Sequence, residues 1–361
     1  MPPEKSTGVN RNESIDYLRG LAATGVMAYH MQLLSFGETD ASDFLAKAKI
    51  YAVAIFYVLS GLTLYIANQQ DFSKTKEDIL NFFLKRFFRI FPLMWLATFL
   101  TYLIVQHAWM YSPKILIVNI LIFPGAFKPD GFVANGAWSI GNELFFYLFF
   151  PLLFFLYRAG KHWMYLVSFV ILIPFMFFAY KVFDPAIQLG HQWSAFVNPL
   201  NQFFFFAMGV LMAGWSKPSA LWQKWALLPA ALLFTLMIFY PVSGEPVALV
   251  IGNARMVLSA LTILICYFFY ISDLGFLPDL VKRGLKFLGD ASFSIYLLHP
   301  LVFTLIVRIM KQWSVVIHPW TTIGLTVICT LLLSNVTYNR FEKYFMRLGK
   351  NLISKRKAML Q

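Results

Sequence analysis

Charge is what this sequence has least of. Asp, Glu, Lys and Arg make up 13% of its 361 residues, against roughly 25% in a soluble domain. Too few polar side chains remain to cover a large core, which excludes a sizeable cytosolic enzyme. A disordered chain is excluded too, because disorder goes with low hydrophobicity and high charge. Cysteine is nearly absent. Cys266 and Cys329 each stand alone in an apolar run, so neither a disulfide framework nor a metal site is expected. The chain also lacks internal repeats, low-complexity tracts and any long soluble domain.

What is present is apolar and bulky. Hydrophobic residues reach 59%, with 39 Phe and 10 Trp, and the mean hydropathy is +0.65. Runs long enough to cross a bilayer recur along the chain. They lie near 15–34, 50–67, 91–107, 138–157, 163–180, 200–215, 226–241, 247–271, 291–311 and 320–338. The expected fold is all-α, a polytopic membrane bundle of about ten transmembrane helices. Residues 1–14 form an N-terminal tail, 15–338 the membrane domain and 339–361 a basic tail expected along the inner leaflet. The stretch 115–124 is apolar but short, and is expected to be re-entrant or interfacial. Asp16 and Arg19 interrupt the first run and no small-residue cleavage site follows. That run is therefore read as a retained span rather than a signal peptide.

Basic residues outnumber acidic ones by 30 to 17. In a soluble protein this excess would point to nucleic acid; here the positive-inside rule absorbs it, and no nucleic-acid partner is expected. With the N-terminus inside, the inner segments hold 21 Lys and Arg and the outer segments 6, with Arg19, Arg255 and Arg308 inside spans. Both termini are therefore expected in the cytoplasm, with an even number of spans.

Charge within a bilayer is costly and marks candidate function. The first span carries Asp16, Arg19 and His30. Helical geometry puts Asp16 within about 40° and Arg19 within about 20° of the His30 face, with Arg19 and His30 roughly 16 Å apart along the axis. Arg86 and Arg89, beside Lys85 and just before the third span, share one helical face. Paired guanidinium forks suit phosphate. The fourth span opens with Trp138, Ser139, Glu143 and Tyr147. Entering from the outer side, Glu143 is expected at the depth of His30, where a carboxylate would fix the imidazole tautomer and raise its basicity. His299 stands mid-span before Pro300, which predicts a kink. Ser60 and Gly61 are read as a close-packing site.

Together these segments resemble the acyltransferase type 3 family of integral-membrane acyltransferases, over nearly the whole chain. The matching blocks are Arg11, Asp16, Arg19, Gly20 and His30; Ser60 and Gly61; Arg86, Arg89, Ile90 and Pro92; Trp138, Ser139, Glu143 and Tyr147; and Ser292, Ile295, Tyr296 and His299. Leu144 departs from the pattern, because relatives more often have a second Glu or Gln there. Relatives also often carry a fused extracytoplasmic hydrolase-like domain; none is expected here, so transfer would finish within the membrane domain.

The resemblance implies transfer of an acyl group, acetyl before succinyl or longer chains, from acyl-coenzyme A to a hydroxyl. The acceptor would be a bacterial surface glycan or lipid-linked sugar, and the location the cell (inner) membrane. It implies no metal. Arg11, Arg19, Arg86 and Arg89 would hold the coenzyme. His30, Glu143 and Asp16 would form the catalytic set, with His30 as general base or as transient acyl carrier. Trp138, Ser139, Tyr147, Tyr296 and His299 would contact substrate. A transporter of polysaccharide or lipid-linked sugar is the rival class, but duplicated halves, frequent in transporters, are missing. A non-catalytic scaffold would leave His30, Arg19 and Glu143 unexplained.

Overall fold

The computed structural model describes residues 12–69, 75–104, 113–121 and 131–360. Arg11 lies outside them, as do the end of the 91–107 run and residues 122–130, which include the end of the 115–124 stretch. The described chain is helical. Its elements are α1 (Glu13–Phe36), α2 (Phe44–Asn68), α3 (Lys76–Ile104), α4 (Pro113–Ile120), α5 (Ala137–Ala159), α6 (Lys161–Phe177), α7 (Pro199–Met212), α8 (Leu227–Ile238), α9 (Gly252–Ile271), α10 (Asp279–Asp290), α11 (Ser292–Gln312), α12 (Pro319–Val336) and α13 (Lys343–Leu360).

The starts follow local chemistry. Asn12 caps α1 by accepting from the Ser14 amide, and its own amide donates to the Tyr270 carbonyl at the end of α9. Pro199 and Pro319 open α7 and α12, where a missing N–H costs nothing.

Among the described residues, eight helices are long and apolar enough to cross a membrane, and the bent pair Leu189–Phe196 and Pro199–Met212 makes a ninth. The 24-residue α1 is not among them, because Glu13, Asp16, Arg19 and His30 dilute its apolar character. Each of the ten expected spans falls on one of these elements. The short α4 is eight residues long and rests on α3, where the Trp95 indole donates to the Ile120 carbonyl.

Two features were not expected. The strongly amphipathic α10, within what looked like a basic loop, packs along α1. Residues 339–360, set apart in the sequence as a basic tail, continue α12 through a π-helical turn at Thr337–Glu342. They dock on α3 through an Arg356–Glu77 ion pair at 2.7 Å.

Small residues allow backbones to touch where these helices cross. A Cβ on Gly61 would stand 2.1 Å from the Phe206 carbonyl oxygen, and one on Gly209 2.0 Å from that of Val58. The α2–α7 contact therefore tolerates nothing larger than glycine on either side. Gly20 and Gly289 do the same for α1 and α10, since a Cβ on Gly289 would meet the Asp16 carbonyl oxygen at 2.3 Å. This second crossing sets α1 immediately below Arg19.

Arg255 is a buried intramembrane cation with a structural explanation. Its guanidinium donates to the Val250 carbonyl and to the Asn201 carbonyl and side-chain oxygen, and lies 4.2 Å from the Phe175 ring centre. It ties α9 to α7 and α6. Arg255→Leu is expected to strand these acceptors and lower stability by about 2–4 kcal/mol. Thermal unfolding in detergent would measure this; a melting temperature equal to that of the unmodified protein would contradict the role.

Candidate active site

Arg19 leaves α1 toward α2. One Nη donates to the Leu59 carbonyl at 3.2 Å and to the Thr63 hydroxyl at 2.8 Å, and the other stands 3.9 Å from Asp16. Thr63 is held in turn by the Leu59 carbonyl one turn back. The guanidinium is thus fixed mainly by neutral acceptors, and its charge remains available.

Arg19 lines a central cavity with Arg86 and Arg89 from α3, Ser60 from α2, Glu143 and Tyr147 from α5, and Tyr296 from α11. Its empty volume is about 980 Å³, open mouth included. A second cavity of about 1240 Å³ shares Arg19, Thr63, Arg89, Ser292 and Phe293 with the first. It extends to Asn12, Asp16, Asp290, Tyr338 and Glu342, making one cleft from the start of α1 into the bundle. Three guanidiniums face one carboxylate, Glu143, in the inner part. Asp16, 3.9 Å from Arg19, is a second counter-charge, and Arg86 Nε is buried without a hydrogen-bond partner among the described residues. The acids of the outer part are occupied: Asp16 beside Arg19, Asp290 beside Lys286 at 3.7 Å, and Glu342 accepting from Ser294.

Glu143 accepts a hydrogen bond from the Tyr147 hydroxyl at 2.8 Å. Because Tyr147 donates there, it accepts from Ser60, 3.0 Å away. Ser60 thus contributes a cavity hydroxyl, while its neighbour Gly61 does the packing. At the far end Tyr296 is clipped to the turn before α5. The Ser139 hydroxyl is 2.9 Å from that of Tyr296, which lies 3.2 Å from the Gly136 carbonyl. Gly136 has φ 81°, and its missing Cβ leaves room for the Tyr296 ring.

One turn further along α11, the His299 ring meets the Tyr296 ring edge-on, with centres 6.4 Å apart. His299 Nε2 is 2.8 Å from His30 Nδ1. The expected Glu143–His30 pairing is therefore replaced by a histidine pair. The two residues stand on different sides of α2: α5 packs on α2, α6 and α7, whereas α1 packs on α2, α10 and α11.

A cleft walled by these residues sits on a chain whose residues 12–339 match the family model described as an acyltransferase domain. The chain belongs to the acyltransferase type 3 family. It is an acyltransferase, and its relatives include two curated proteins. It is 28% identical over 346 residues to the protein named Acyltransferase MdmB of Streptomyces mycarofaciens, covering 87% of this chain and 85% of that one. It is 26% identical over 396 residues to Nodulation protein 10 of Rhizobium leguminosarum bv. viciae, covering 99% of each. No solved structure matches it.

In this acyltransferase the family's blocks fall in three places. Asp16, Arg19, Ser60, Arg86, Arg89, Ser139, Glu143, Tyr147 and Tyr296 line the cleft. His30 and His299 pair behind Tyr296. Trp138 packs against Trp193 and Phe196, with ring centres 5.6 Å apart in each case, and is not among the lining residues. Thr63 and Glu342 were not singled out in the sequence. Thr63 is marked by its i, i+3 spacing from Ser60, and Glu342 as the lone acid after residue 338. Among the described residues no group of three or more histidine, cysteine or carboxylate side chains is placed to hold a metal ion.

Tyr147→Phe removes one bond to Glu143 and one to Ser60 while keeping the ring. A hydrogen bond to a charged group contributes about 1.5–3 kcal/mol, so acyl transfer per folded molecule is expected to fall at least about tenfold. Undiminished transfer at matched abundance would show that Tyr147 does not orient Glu143.

Proposed function

We propose that this acyltransferase moves an acyl group, acetyl first among the candidates, from acyl-coenzyme A to a hydroxyl of a cell-surface glycan or lipid-linked sugar. It would act in the cytoplasmic membrane with both termini on the cytoplasmic side. The observation that carries this is the cleft entered at the start of α1, whose inner part gathers Arg19, Arg86 and Arg89 around one lining carboxylate, Glu143. Coenzyme A is an elongated polyanion with an amide-rich arm. Guanidinium forks suit its phosphates, and the cleft gives the arm a polar path. One of the two relatives is itself named an acyltransferase.

The chemistry is an exchange of one bond for another. His30 takes the proton of the acceptor hydroxyl, whose oxygen attacks the thioester carbonyl. The new C–O bond forms, the C–S bond breaks, and the leaving thiolate recovers the proton from His30. Ser139 and Tyr296 frame the acceptor end of the cleft. Glu143 holds the three guanidiniums at working distance from one another, and Asp16 does so for Arg19. Arg11, on the segment preceding α1, would meet the coenzyme at the mouth.

His30→Ala is expected to abolish transfer of labelled acetyl from acetyl-coenzyme A by the purified protein, with normal membrane insertion. Arg86→Ala and Arg89→Ala are each expected to weaken acetyl-coenzyme A binding about tenfold, the contribution of a charge-assisted hydrogen bond. Full activity of the His30 variant would remove the proposed chemistry; unchanged donor binding by both arginine variants would remove the proposed donor site. Mass spectrometry of surface glycans with and without the gene would identify the acceptor.

A further inference from the structure

His299 is 1% exposed, lies behind the cleft, and has no part in the bond exchange described above. Its surroundings nevertheless constrain it. Nδ1 is 2.9 Å from the carbonyl oxygen of Ile295, one helical turn back. A carbonyl only accepts, so this nitrogen carries a proton. The next residue is Pro300, which has no N–H. The carbonyl four residues before it, that of Tyr296, therefore lacks its helical donor. The Ile295 carbonyl thus holds the proton of His299 on Nδ1.

The consequence passes to His30. In a neutral imidazole with Nδ1 protonated, Nε2 is a bare acceptor. His299 Nε2 stands 2.8 Å from Nδ1 of His30. Two ring nitrogens at that distance share one proton, and His299 has none to give from Nε2. His30 therefore donates from Nδ1, and its lone pair is left on Nε2.

We propose that His299 is a positioning residue that fixes the tautomer of His30, so that Nε2 of His30 is the proton acceptor. The role rests on His30 being the base. When Nε2 of His30 takes up the hydroxyl proton, the ring becomes a cation and its Nδ1–H bond to His299 becomes charge-assisted and stronger. The same contact that selects the tautomer thereby favours the protonated intermediate stage.

The test uses the full chain in lipid nanodiscs, with 15N-labelled histidine read by NMR alongside steady-state kinetics. In the unmodified protein, His30 is expected to show protonated Nδ1 and unprotonated Nε2. His299→Leu is expected to let the His30 ring redistribute between tautomers and to lower kcat about 100-fold, the scale of losing a partner that orients a working histidine. The KM for acetyl-coenzyme A is expected to stay within about twofold, because donor binding is not touched. His299→Gln, whose side-chain oxygen takes the place of Nε2 as acceptor, is expected to recover at least about tenfold of the lost kcat.

A merely structural role would not restore one tautomer together with kcat. The proposal is overturned if the unmodified protein carries its His30 proton on Nε2. It is also overturned if His299→Leu keeps full kcat, or if it folds and loses activity with the His30 tautomer unchanged. Should the leucine variant not fold, the unmodified spectrum and the glutamine variant decide. His30→Ala, assayed in parallel, separates the two levels. An inactive His30→Ala beside an active His299→Leu rejects the positioning role alone, whereas an active His30→Ala rejects the base itself.

Discussion

Like charges repel most where water is scarce, and Arg19, Arg86 and Arg89 stand together inside an apolar bundle. That arrangement persists because each cation has something fixed to lean on. Arg19 has the Leu59 carbonyl, the Thr63 hydroxyl and Asp16. Arg86 lies 6.0 Å from the Phe82 ring centre. Glu143, the one carboxylate among the inner lining residues, is held by Tyr147 and through it by Ser60. The site is a cluster of three buried cations with Glu143 and Asp16 as its nearest acids.

The contacts that hold this balance need close backbones. Gly61 against Phe206, and Gly209 against Val58, fix α2 on α7, which brings Ser60 and Thr63 to the cavity wall. Gly20 and Gly289 fix α1 on α10, which sets the height of Asp16 and Arg19. Hydrophobic burial alone does not select such a geometry in lipid, where the tails are as apolar as the side chains. The glycines do it by making the wrong separation unavailable.

Much of this was legible in the sequence. Apolar runs located the eight helices able to cross a membrane and the bent pair that makes a ninth, because lipid leaves the backbone no alternative to a helix. The polar residues within those runs marked the site, because each had to be compensated. What stayed hidden was lateral arrangement. Span depth placed Glu143 level with His30, yet nothing in a linear pattern says that α2 lies between them. The helix α10 was hidden for a different reason: its even mix of charged and apolar residues reads as a loop until its faces are sorted. Glu342 was masked by the basic residues around it.

The lateral arrangement also explains why the histidine partner is a histidine. A carboxylate beside His30 would raise its basicity further, but Glu143 is already the counter-charge of three arginines, and it cannot serve both places. A neutral imidazole asks for no counter-charge. It needs only an acceptor for its own proton, and the α11 backbone supplies one at Ile295. Arg255 illustrates the complementary case, since its hydrogen bonds go to carbonyl and amide oxygens and its face to Phe175. An intramembrane cation whose donors are met by fixed neutral groups braces the fold. Arg86, whose Nε is buried with no hydrogen-bond partner among the described residues, is not braced in that way.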